Sequence, residues 1–97
     1  MAAVLLSASA EEDLGRIVEF LLEAEPVAAA TTGGLILEAL EVLARHPLIG
    51  RPAEAQLHEL VISRGKTGYC ALYEFDPAAD LVIVHAIRHQ REAGYRD

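Results

Sequence analysis

Residues 57–89 read LHELVISRGKTGYCALYEFDPAADLVIVHAIRH, and this stretch decides the fold. Three segments rich in Leu, Val, Ile and Tyr, at 57–63, 69–75 and 81–89, are separated by RGKTG and DPAAD, both of hairpin length and built of turn-forming residues. An antiparallel meander is expected. In LHELVIS the alternation puts Leu57, Glu59, Val61 and Ser63 on one face and His58, Leu60 and Ile62 on the other. The run from Val82 to Ala86 has apolar side chains on both faces and predicts a strand in the sheet interior.

Working back from the meander, PLIGRPAEAQ at 47–56 is a turn-rich entry punctuated by Pro47, Gly50 and Pro52. Before it lie two helical segments. Leu14, Ile17, Val18, Leu21 and Leu22 recur at helical period, and Ser9 with Glu12 three residues on can form a capping box that starts this helix near 9–10. Pro26 disfavours helical backbone at Glu25 and suits the first turn of a new helix, so the first helix stops at Glu25 and a second runs over 27–46. Gly33 and Gly34 inside the second helix each cost about 1 kcal/mol relative to Ala, which a bend or a close helix–helix approach would explain. A short apolar strand at 2–7 precedes everything. The order β-α-α-β-β-β gives an α+β fold, a helical hairpin packed on an antiparallel sheet, as one domain over 1–97.

Composition narrows the function classes. The one cysteine, Cys70, cannot form an internal disulfide, no basic leader precedes Glu11, and no uninterrupted apolar run approaches the roughly 20 residues of a membrane span. A soluble, cytoplasmic protein is expected. Net charge is −7, and residues 1–50 hold eight acids against Arg16 and Arg45, while the six remaining bases, Arg51, Arg64, Lys66, Arg88, Arg91 and Arg96, all lie beyond. Anion-facing chemistry is therefore confined to the second half.

Gly65-Lys66-Thr67 echoes a phosphate loop but has Val61 where the motif needs its first glycine, so it reads as a basic turn. His85 and His89, four apart on a strand, share a face about 13 Å apart, too far for one metal. No metal and no cofactor is expected. Cys70, inside an apolar strand, reads as a small hydrophobe. The tail AIRHQREAGY at 86–95 supplies every residue type that phosphodiester cleavage needs: His89 and Tyr95 for proton transfer, Arg88 and Arg91 for charge on phosphorus. The alternative for the same residues is a solvated strand end.

Three phrases carry a family resemblance: ILEALEVLARHPLIGRP at 36–52, LHELVISRGKTGYCALYEFD at 57–76 and VIVHAIRHQREAGY at 82–95. Together they resemble the ParE/RelE superfamily of bacterial type II toxins, nearer the ParE branch. The resemblance implies a toxin silenced by a cognate antitoxin whose C-terminal part folds onto it. ParE-like members are associated with DNA gyrase inhibition and act by protein binding, whereas RelE-like members cut mRNA on the ribosome without metal. A single Lys and a charge of −7 disfavour a ribosomal target, so a non-enzymatic gyrase inhibitor is the first expectation. The alternatives are a RelE-like endoribonuclease using His89, Arg88, Arg91 and Tyr95, and a non-toxic antitoxin-binding remnant. The partner-binding residues implied are Arg51, Arg64, Tyr73, Arg88, His89 and Arg91, with no direct nucleic-acid or membrane binding.

Overall fold

The computed structural model describes residues 1–62 and 68–89. Arg64, Arg91 and Tyr95 lie outside the described residues, as does most of the RGKTG connector. The chain runs β1 (Ala3–Leu6), α1 (Ala8–Ala24), α2 (Pro26–Arg45), β2 (Arg51–Pro52), β3 (His58–Ile62), β4 (Tyr69–Asp76) and β5 (Leu81–His89). The sheet order is β1-β5-β4-β3-β2. β3, β4 and β5 form the expected antiparallel meander, β2 adds a two-residue antiparallel edge, and β1 pairs parallel to β5, making the sheet mixed. β5 is interior, flanked on both sides, as its two-sided apolar run requires.

Both helices cover one face of this sheet. Ile17 of α1 and Ile36, Leu40 and Leu43 of α2 form the core with Ile62, Ala71, Tyr73, Val82, Val84 and Ile87. Burial of apolar area of this kind, worth roughly 25 cal/mol per Å², holds the layers together. Among its 20 residues α2 buries Ala29, Thr32, Ile36, Leu40 and Leu43, a single stripe at three- and four-residue spacing. By length and composition α2 is also long and apolar enough to cross a membrane, which corrects the expectation that nothing approaches that length. Its buried stripe is that of a core helix.

The helix starts differ from expectation in one place. Ser7, not Ser9, caps α1, its Oγ accepting from the Ala10 amide at 3.1 Å. The reason is tertiary: the Ser7 amide donates to the Val84 carbonyl at 2.9 Å and its hydroxyl to the His85 carbonyl at 3.1 Å, so one residue both ends β1 and starts α1. At the hairpin, Glu25 is at once the C-cap of α1 and the residue before Pro26 at the start of α2, as Pro26 dictates.

The glycine pair in α2 has no steric cause. A Cβ on Gly33 would meet Val18 Cγ2 at 3.6 Å, an ordinary contact, and one on Gly34 would meet nothing within 4 Å. The expected close helix approach is not what places them. Gly34→Ala is therefore expected to stabilise the domain by about 0.5–1 kcal/mol in denaturant unfolding, since the helix gains propensity and loses no contact.

Candidate functional site

Where each β5 side chain points depends on one extra residue. Leu72 pairs with Ala86 but Tyr73 pairs with Val84, so His85 is a β-bulge, two residues facing one across the β4–β5 ladder. Val82 and Val84 point into the core ahead of the bulge, and Ile87 does so after it. A regular strand would have continued 82, 84, 86, 88 and aimed Arg88 at the helices. With the bulge, Arg88 faces the side that α1 and α2 leave uncovered.

Two side chains from the N-terminal part of the chain fix the bulge. Ser7 holds the His85 carbonyl, as described, and the Asp13 carboxylate accepts from the buried Ile87 amide at 2.9 Å. Asp13, only 5% exposed, also lies 3.6 Å from the Arg16 guanidinium through its other oxygen. An acid buried among apolar neighbours is tolerated here because a backbone N–H and a cation meet it.

On the uncovered face, three charged residues from three strands converge. Arg51 lies directly opposite Glu59 across the β2–β3 pair, and its Nε donates to Glu59 Oε1 at 2.9 Å, with Nη2 donating to the same oxygen. Arg88 Nη2 approaches the other carboxylate oxygen, Oε2, at 3.7 Å. Glu59 thus sits between two guanidiniums. The Glu59 and Arg88 side chains are 12% and 17% exposed, whereas Arg51 is 65% exposed and reaches solvent. Further along the same face the Glu74 carboxylate meets His85 Nε2 at 2.8 Å.

Cys70 pairs with Arg88 and Val61 on this face and is buried. Burial pushes its thiol pKa up, the Glu59 charge pushes the same way, and the Arg88 and Arg51 charges act against them. A thiol held protonated is no nucleophile.

Gly50 sets the position of Arg51. Its amide donates to the Tyr73 hydroxyl at 2.9 Å in a buried bond, and an added Cβ would come within 2.7 Å of the Tyr73 ring and 2.8 Å of the Glu59 carbonyl. Only glycine allows the chain to pass so close. Tyr73 itself is 0% exposed and its ring stacks on His58 at 5.6 Å. Burial raises the Tyr73 pKa, partly offset by the Gly50 N–H.

The residues proposed from sequence therefore divide. Arg51 and Arg88 come together through Glu59. Tyr73 does not belong with them: it is buried on the helix side and anchors a turn, so it offers no partner surface. His89 lies on the opposite face from Arg88, with its ring edge-on to Tyr69 at 5.2 Å, and the bulge also separates it from His85, correcting the expectation that the two histidines share a face. Glu59, Asp13, Ser7 and Gly50 are site residues outside the set expected from sequence. Only Gly50 carried a readable signal, as a glycine flanked by Ile49 and Arg51 in a proline-bounded turn.

The scaffold, a helical hairpin over one face of a five-stranded mixed sheet, is shared with solved toxin structures. The family profile described as ParE toxin of the type II toxin–antitoxin system parDE matches residues 4–94. Toxin RelE3 of Caulobacter vibrioides is 37% identical over 92 residues, covering 95% of this chain and 98% of that protein. Toxin RelE1 of the same organism is 36% identical over 70 residues, covering 72% and 75%. In three dimensions the chain resembles a chromosomal ParDE system from P. aeruginosa, with TM-score 0.74, 20% identity and coverage of 91% and 95%. It also resembles the RelBE2 toxin–antitoxin complex of Mycobacterium tuberculosis, with TM-score 0.64, 24% identity and coverage of 92% and 98%. The chain belongs to the ParE toxin family, within the ParE/RelE superfamily of type II toxins.

Gly50→Ala is expected to destabilise the domain by about 1–3 kcal/mol through overpacking against atoms that cannot yield. Tyr73→Phe, which only strands the Gly50 amide, should cost about 1 kcal/mol. Thermal unfolding of the two variants beside the parent protein checks both the order and the size.

Proposed function

We propose that this toxin acts by protein binding, with DNA gyrase as its target, and that a cognate antitoxin segment laid along the sheet and helical hairpin silences it. The observation that carries this reading is the charge arrangement of the uncovered face. Among the described residues its strands present Arg51 and Arg88 against Glu59 and Glu74, and Glu59 engages both arginines. Such a face offers a polyanion no net attraction, in a chain whose charge is already −7. The candidate proton carrier His89 and the candidate phosphate ligand Arg88 point to opposite faces of β5, which weighs against their sharing one phosphodiester.

Arg51 and Arg88 remain the proposed partner contacts. Exposed apolar residues on both helices and the following turn, including Phe20, Leu37, Val42 and Leu48, give a partner chain apolar footing. A gyrase target entails action in the bacterial cytoplasm.

One observation favours a second reading. The relatives that match over most of the chain bear the name RelE, so a metal-independent endoribonuclease is the alternative. Parallel assays separate the two. The purified toxin is expected to inhibit supercoiling by gyrase or to trap cleaved DNA, and to leave mRNA intact in a translating extract. Site-specific mRNA cuts with gyrase unaffected would replace gyrase with the ribosome. Neither activity, with antitoxin binding retained, would mark a non-toxic remnant.

A further inference from the structure

We propose that Glu59 is the specificity-determining residue of the uncovered sheet face: a resident carboxylate that fills the anion site Arg51 and Arg88 would otherwise form, and so excludes phosphodiesters. The inference stands on the geometry of this face and not on the choice of gyrase as target.

Arg51 and Arg88 reach the same point from opposite sides, one from the edge strand β2 and the other from interior β5. Guanidinium forks placed this way are suited to a tetrahedral or planar anion. Glu59 supplies that anion internally, one oxygen to each arginine. Because Glu59 and Arg88 are largely shielded from water, these two charges interact more strongly than surface ions do. An incoming phosphate would have to displace the carboxylate and then sit beside it, two anions in a poorly solvated site. That repulsion is a specificity device, because it acts against a wrong partner instead of for a right one.

The register holds Glu59 in place. It is paired with Arg51 on one side and Leu72 on the other, and its own carbonyl packs against the turn at Gly50, where a Cβ would come within 2.8 Å. These contacts fix the Glu59 backbone, and the two guanidiniums orient its carboxylate.

Glu59→Gln keeps the shape and removes the charge, leaving Arg51 and Arg88 without their shared anion. Binding of a fluorescently labelled single-stranded RNA 12-mer, measured across a salt series, tests the proposal. The parent protein is expected to bind weakly with a shallow salt dependence. E59Q should bind at least about tenfold more tightly, with the slope of log K against log salt steeper by roughly 1.4, about 0.7 for each of two new phosphate contacts. In the double variant E59Q/R88Q the added slope should fall to about 0.7, the share of Arg51 alone. Inorganic phosphate should raise the melting temperature of E59Q more than that of the parent, because a ligand of the folded state alone stabilises it. Unchanged RNA affinity in folded E59Q, or a gain that Arg88→Gln leaves undiminished, would overturn the proposal. So would tight RNA binding by the parent protein that is lost on Arg88→Gln, a measurement that does not depend on E59Q folding.

Discussion

Strand β1 stops at Leu6, level with Val84, while β5 continues to His89. Beyond that point the β5 edge would expose buried backbone groups with no strand to pair them, a cost of about 1–3 kcal/mol for each one left unmet. Ser7 and Asp13 meet them instead, one at the His85 carbonyl and the other at the Ile87 amide. The extra residue, His85, is the one whose carbonyl Ser7 holds. The bulge at His85 therefore follows from where β1 ends and from which α1 side chains face the gap, and everything downstream on β5 takes its orientation from it.

The functional consequence is electrostatic. Re-phasing β5 brings Arg88 to the uncovered face, where Glu59 already holds Arg51, and sends His89 to the side of Tyr69. Among the described residues, both arginines of that face meet the same carboxylate. For a toxin of this superfamily that distinction matters, because a protein target can be met by apolar surface and a few polar contacts, whereas an RNA target calls for uncommitted positive charge. The Gly50–Tyr73 anchor serves the same cluster from the other end: it fixes the turn that delivers Arg51 to the edge strand.

Much of this was legible in the sequence. The helical hairpin followed from Pro26 and from apolar residues at helical spacing, and the three-strand meander from turn residues between β-rich runs. Over His58–Ile62 the expected face assignment is the one observed, with Ile62 buried and Val61 exposed. What escaped reading depends on contacts distant in sequence. Ser7 outcompetes Ser9 as the cap because β5 offers it a carbonyl, 78 residues away. The His85 bulge leaves no local mark, since VIVHAI alternates as well with it as without it. Glu59 looked like an ordinary exposed strand residue, and only the register of four strands shows that it faces two arginines. The family resemblance implies a partner contact at Tyr73, yet its hydroxyl is occupied by a backbone amide inside the fold.

The central claim is that Asp13 closes the β5 edge and thereby holds the bulge. Amide hydrogen exchange at Ile87 reads it directly. If the Asp13 carboxylate is the acceptor, the Ile87 amide exchanges as slowly as those of the β4–β5 ladder in the parent protein and is accelerated selectively in Asp13→Ala. Fast exchange at Ile87 in the parent, with the ladder amides protected, would contradict the account.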